Sequence, residues 1–178
     1  MTVFQLIKSD YLRIRPTFTW GGFATVLCCD ETFALLFWYR IARGLRGKPA
    51  WLPLFLMSYV MLRLQNRQTG VHLSRHVDIG PGFRIEHAGK TYINKDAVFG
   101  ADCTIMHSVT VGVSHSRHGK PGVPAIGDRV FIGPNAVLYG GITVGDDAMI
   151  GANSVVNKDV PAGALAAGVP AMIRLQRE

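Results

Sequence analysis

Bulky apolar residues recur in this chain every six positions. They stand at Ile79 and Ile85, at Ile93, Phe99, Ile105 and Val111, and after a loop at Ile126, Ile132, Leu138, Val144, Ile150 and Val156. An α-helix would carry such positions around all its faces, and an ordinary strand would bury every second residue, so neither explains one large apolar side chain per six. Glycine follows many of them directly, as at Gly80, Gly100, Gly112, Gly127, Gly133, Gly145 and Gly151. Four residues after the apolar position comes a small or β-branched one: Ala97, Cys103, Val109, Val130, Ala136, Ala148, Ser154, Val160. The pattern predicts a coil of short parallel strands. Apolar side chains fill its axis, glycine relieves backbone strain at each corner, and a small residue sits where the corner is tight.

The chain has 178 residues, 48% of them hydrophobic, which argues against disorder and leaves room for the coil plus a small helical region. The expected division is a helical region over 1–70, the coil over 71–161 with a loop extruded at 113–124, and a tail over 162–178. Three helices are predicted, over about 2–13, 30–46 after a Gly21-Gly22 break, and 51–66 beginning near Pro53. In the second, Asp30 is the N-cap and Phe33, Leu36, Phe37, Arg40 and Ile41 form one face.

The net charge of +7 is unevenly placed: residues 1–75 hold ten Lys or Arg against three acids, while residues 76–178 hold nine of each. A basic surface of this kind meets nucleic acid, an anionic membrane or an anionic substrate. No nucleic-acid-binding module accompanies it, so nucleic acid is not an expected partner. Three cysteines, two of them adjacent at Cys28 and Cys29, form neither a disulfide framework nor a zinc spacing. The first residues mix charge into the apolar pattern as no signal peptide does, and the expected compartment is the cytoplasm. The uncharged run from Pro49 to Leu62 has 14 residues and two prolines, short of the roughly 20 that span a bilayer. Trp51, Phe55 and Tyr59, flanked by Arg46, Lys48, Arg63 and Arg67, suit a peripheral contact with the inner membrane face.

Within residues 71–173, the stretches IEHAGKTYINKDAVFGADCTIMHSVTVG and VGDDAMIGANSVVNKDVPAGALAAGVPAMI resemble the hexapeptide-repeat acyltransferases, and most of all their serine acetyltransferase branch. FALLFWYRIARGLRG is similar to the last helices before the repeat in that branch. The resemblance implies a mainly β fold, a left-handed parallel β-helix preceded by a short α-helical N-terminal region. It also implies an O-acetyltransferase using acetyl-CoA as co-substrate, with no metal, active as a homotrimer or a multiple of it. The sequence lacks most of the helical domain and the extended tail of the biosynthetic serine enzymes. The expected acceptor is therefore a saccharide or polysaccharide hydroxyl, as in the short relatives of capsule and exopolysaccharide clusters. Serine O-acetyltransferase is the alternative, and a non-catalytic β-helix binding protein a second one. A zinc enzyme of the γ-carbonic anhydrase kind needs three histidines at coil positions that His76, His107 and His115 do not keep.

Chemistry belongs where the repeat is interrupted. The insertion between Ile85 and Ile93 carries Glu86, His87, Gly89 and Lys90, and the loop SHSRHGKPGVP carries His115, Arg117, His118 and Lys120. Histidine, with an unperturbed pKa of about 6.5, suits proton removal from a hydroxyl. The resemblance makes His87 the general base, through IEHAG. It puts Glu86 where the family has an acceptor-binding aspartate, and His72 where it has the aspartate that supports the base. Asp78, in VDIGP, falls one hexad late, and Asp10 or Glu86 is an alternative partner for the imidazole. Asp10, Arg117 and His107 are further candidates for the acceptor. His118 or His115 is the loop histidine, in the family contributed across a subunit boundary. Acetyl-CoA would lie between adjacent β-helices, against Val113, Ser114, Pro134, Ala152, Ala167 and Gly168.

Overall fold

The computed structural model describes residues 1–115 and 120–175, so the candidates Arg117 and His118 lie outside the described residues. Four α-helices come first: α1 (Val3–Leu12), α2 (Trp20–Cys29), α3 (Glu31–Gly44) and α4 (Leu52–Thr69). The Asp30 side chain caps α3 by accepting from the Thr32 and Phe33 amides, and Gly70, in the left-handed conformation, ends α4.

One helix was not foreseen. α2 starts at Trp20 with Thr19 as its cap and runs through Gly21 and Gly22, the dipeptide expected to break the chain. Both glycines fall in the first turn, where amides have no intrahelical partner to lose. A Cβ on Gly22 would come 2.6 Å from the Tyr11 hydroxyl, so the residue serves close packing against α1.

Among the described residues fifteen short strands follow, in three sheets. The first stacks β1 (Val71–His72), β4 (Thr91–Ile93), β7 (Thr110–Gly112), β10 (Val137–Tyr139) and β13 (Val155–Val156). The second stacks β2 (Asp78–Ile79), β5 (Val98–Phe99), β8 (Ala125–Ile126) and β11 (Thr143–Val144). The third stacks β3 (Arg84–Ile85), β6 (Thr104–Ile105), β9 (Phe131–Ile132), β12 (Met149–Ile150) and β14 (Ala164–Ala167), and β15 (Met172–Leu175) closes it. All pairings are parallel except β14 with β15. The chain visits the three sheets in rotation, so it winds as a parallel β-helix. Register converts the six-residue beat into three apolar columns, such as Ile85, Ile105, Ile132 and Ile150 in the third sheet. All twelve beat positions are buried, and so are the eight small ones.

The corner glycines act differently from the expectation. Left-handed dihedrals fall two residues later, at Asp102, Arg129, Asn135, Asp147 and Asn153, mostly Asp or Asn, which tolerate that region. Apart from Gly112, where a Cβ would find room, the glycines are needed because successive coils touch there: a Cβ on Gly80 would lie 2.5 Å from the Gly100 backbone, and one on Gly100 2.6 Å from that of Gly127. The 113–124 loop leaves the coil through a neck in which Ser114 and Gly122 exchange two backbone hydrogen bonds of 2.9 and 3.1 Å.

α3 lies against the first coil. Tyr39 donates its hydroxyl to the Val77 carbonyl at 2.8 Å, Arg43 reaches Val77 O and Asp78, and Arg40 is buried. Arg40 donates to both Asp10 carboxylate oxygens at 2.8 and 2.9 Å and to the Ile79 and Gly80 carbonyls, while Asp10 also accepts the Phe83 amide. Among the described residues no single helix is long and apolar enough to cross a membrane, and α2 and α3, apolar enough together, meet at 105°.

Two outcomes are expected in urea denaturation. Gly100→Ala loses about 1–3 kcal/mol of stability, because the added methyl forces adjacent coils apart. Asp10→Asn loses about 3–5 kcal/mol, because the guanidinium of Arg40 is left buried without its counter-charge.

Candidate active site

The corner leading from the third sheet to the first repeats along the coil axis, and it collects most of the candidate residues. Glu86, His87 and Gly89 occupy it after β3, His107 after β6, Pro134 after β9, Ala152 after β12, and Gly168 after β14, which ends at Ala167. His87 is exposed and has φ of 68°, a conformation that costs a non-glycine residue about 1–2 kcal/mol. Gly89 clears the neighbouring space: a Cβ there would come 2.9 Å from the Cβ of His107. The two imidazoles therefore meet, with ring centres 6.2 Å apart and planes at 61°. Among the described residues neither ring has a hydrogen-bond partner, so their nitrogens are available to a ligand.

Beside His87 lies a cleft of about 520 Å³ between the start of α3 and the turn after β3, with Asp30, Glu31, Thr32, Arg84, Glu86 and His87 among its walls. Glu86 pairs with Arg84 at 2.9 Å, and Arg84 donates to the Arg13 carbonyl at 2.6 Å, tying this wall to the end of α1. Asp30 turns one oxygen into the α3 cap. The Thr32 hydroxyl lies 2.8 Å from that oxygen and 2.9 Å from the Ile85 carbonyl, bridging helix and coil. Three carboxylates, of Asp30, Glu31 and Glu86, face one cationic group at Arg84, so the cleft is acidic. Among the described residues no group of three or more His, Cys, Asp or Glu side chains could hold a metal ion.

Other candidates lie apart. Asp10 is on the cleft floor, but its side chain is only 1% exposed and Arg40 and the Phe83 amide take up its oxygens. Burial pushes its carboxyl up and Arg40 pulls it back. It holds the floor and presents no free carboxylate. His72 is exposed on β1, its ring 6.3 Å from that of Tyr92, and makes no hydrogen bond to His87. Asp78 pairs with Arg43. Val113 and Ser114 stand at the next corner, at the neck of the extruded loop, and His115 is exposed beyond them. Asp30, Glu31 and Arg84 were not foreseen as cleft residues. The acidic start of α3 was visible as a capping signal, but its position over a turn more than fifty residues later was not.

Residues 124–158 match the family model described as bacterial transferase hexapeptide (six repeats). A serine acetyltransferase of Helicobacter pylori strain J99 is 35% identical over 133 residues, covering 75% of each chain. The chain belongs to the serine acetyltransferase family. The Mycobacterium tuberculosis member is 44% identical over 105 residues, 59% of this chain and 45% of its own. The structure of Neisseria gonorrhoeae serine acetyltransferase superposes with a TM-score of 0.79 at 28% identity, over 99% of this chain and 67% of that one. A serine acetyltransferase in complex with CoA superposes with a TM-score of 0.77, also at 28% identity, over 97% and 69%. The fold is thus the left-handed parallel β-helix of an acyltransferase.

Family membership corrects the expected acceptor. The relatives at 35% and 44% identity are serine acetyltransferases, and the saccharide reading falls. That reading rested on the short helical region and tail compared with the biosynthetic serine enzymes, together with a lengthened acid at Glu86 and a lost one at His72. The folded chain brings two further carboxylates, Asp30 and Glu31, to the wall facing Glu86, so the cleft carries negative charge beyond that of the one motif.

The left-handed backbone at His87 carries a measurable consequence. His87→Gly is expected to be more stable than His87→Ala by about 1 kcal/mol, since only the alanine retains the Cβ penalty at positive φ. Paired urea melts of the two variants check it.

Proposed function

We propose that this chain transfers the acetyl group of acetyl-CoA to the hydroxyl of L-serine, with His87 as general base. The observation that carries the reading is the exposed, unpartnered imidazole of His87 at the rim of an acidic cleft, in a chain whose relatives are serine acetyltransferases. The ammonium group of serine finds its counter-charge in Glu86, Asp30 and Glu31, which turns the hydroxyl toward the imidazole. His87 takes the hydroxyl proton as the oxygen attacks the thioester carbonyl. The tetrahedral adduct collapses with loss of the thiolate, and the imidazolium returns the proton to sulfur. Transfer is direct, and no acyl-enzyme forms.

His107, one coil further on, assists by contacting the acceptor or the developing oxyanion. The donor lies along the corner of Pro134, Ala152, Ala167 and Gly168, where small residues leave backbone groups accessible. A groove that binds a ligand on both sides requires a neighbour, and the assembly is a homotrimer or a multiple of it, with heterologous contacts closed by threefold symmetry.

Thiol release from acetyl-CoA, measured with and without L-serine, tests the reaction; absence of serine-dependent release refutes it. His87→Ala should lower kcat by about 10²- to 10⁴-fold with the acetyl-CoA KM little changed. Glu86→Gln should instead raise the serine KM by about ten-fold or more and leave the acetyl-CoA KM alone, because it removes charge from the acceptor side only.

A further inference from the structure

A second cleft, of about 470 Å³, opens between the last turns of α4 and the first two coils. Its walls carry Arg63, Arg67, Arg75, Lys95, His72 and His76 and, among the described residues, no carboxylate. Ion pairs elsewhere neutralise Arg40, Arg43, Arg84, Lys120 and Arg129; none of the four arginine and lysine side chains of this cleft has such a partner among the described residues. Three of the ten N-terminal cations, Arg63, Arg67 and Arg75, gather here.

Two of the guanidinium groups are held in place. Arg63 lies 5.2 Å from the centre of the Tyr59 ring and donates to its hydroxyl at 2.7 Å, and Arg75 lies 5.1 Å from the same ring and 5.2 Å from that of Phe55. Tyr59 thus fixes both planes while leaving N–H groups unused. His76 contacts Arg75 at 3.3 Å and Arg46 at 3.4 Å. Desolvation, then Arg46, Arg75, Lys95 and Arg43, hold its pKa below the ordinary histidine value. Like charges gathered in a concavity repel one another, and an anion relieves that repulsion.

We propose that this cleft binds a phosphate dianion carried by a small ring-bearing metabolite of the nucleoside monophosphate class. Preset guanidinium planes match phosphate oxygens in pairs, and the number of cations exceeds what a single carboxylate neutralises. Tyr92, half exposed at the rim, offers a face on which the ring stacks. The cations line a hollow and not a flat stripe, which favours a small ligand over a duplex or a bilayer.

Isothermal titration of the intact protein in 150 mM salt, with acetyl-CoA saturating, decides the matter using AMP, inorganic phosphate and adenosine as probes. The expected result is saturable binding of one AMP per chain, no binding of adenosine, and a shift of the His76 ring resonance in NMR. Arg67→Gln/Lys95→Gln, both side chains exposed and free of ion pairs, should weaken AMP at least ten-fold, while Lys158→Gln leaves it unchanged. AMP tighter than inorganic phosphate supports the ring-bearing ligand, and equal affinities reassign the site to the free anion. Absence of saturable binding, or affinity unmoved by the double variant, overturns the proposal. So does release of bound AMP when acetyl-CoA is titrated into AMP-loaded protein prepared without it, which would make the cleft part of the donor site, and so does binding confined to duplex DNA or anionic vesicles.

Discussion

A single buried guanidinium joins the helical region to the β-helix. Arg40 of α3 grips Asp10 of α1 with two donors and the carbonyls of Ile79 and Gly80 with the others, and Asp10 in turn holds the Phe83 amide. Two helices and the end of β2 are thereby locked to the corner that leads into β3, Glu86 and His87. Charges of opposite sign at such depth are retained only where every donor and acceptor is used, and here nearly all are. The acidic cleft exists because this contact sets the distance between α3 and the turn after β3.

The rest of the frame is set by contact between coils. Strands only two to four residues long are too short to hold a position alone, and their stability comes from stacking on the coils before and after. Such stacking leaves no room for a Cβ at most of the corner glycines, Gly80, Gly100 and Gly127 among them, which is a sharper demand than dihedral freedom. It also explains why His87 tolerates a left-handed backbone: the neighbouring coil over-determines the turn, and the strain presents an imidazole to solvent.

The charge pattern acquires its meaning from this arrangement. Acids distant in sequence converge at the start of α3 and the end of β3, whereas cations from α4 and the first coils converge on the other cleft. Two clefts of opposite sign suit ligands of opposite charge. The acids of the first cleft come from separate motifs, Asp30 and Glu31 from one and Glu86 from another, and the field at a site sums over all groups facing it.

The sequence by itself determined the β-helix. Twelve apolar positions at a six-residue spacing admit a coil of short stacked strands, its handedness implied by the family resemblance, and burial follows from hydrophobicity and register without any long-range information. It also marked His87, because an insertion is where such a coil releases a side chain, and Asp30 as a helix cap. Only the tertiary structure decided that α2 forms through two glycines, that Asp10 faces Arg40, that His87 meets His107, and that Asp30 and Glu31 face Glu86. Each depends on how a helix docks against a coil dozens of residues away. That docking is governed by shape and by buried polar contacts, which have no period and leave no local mark on the chain.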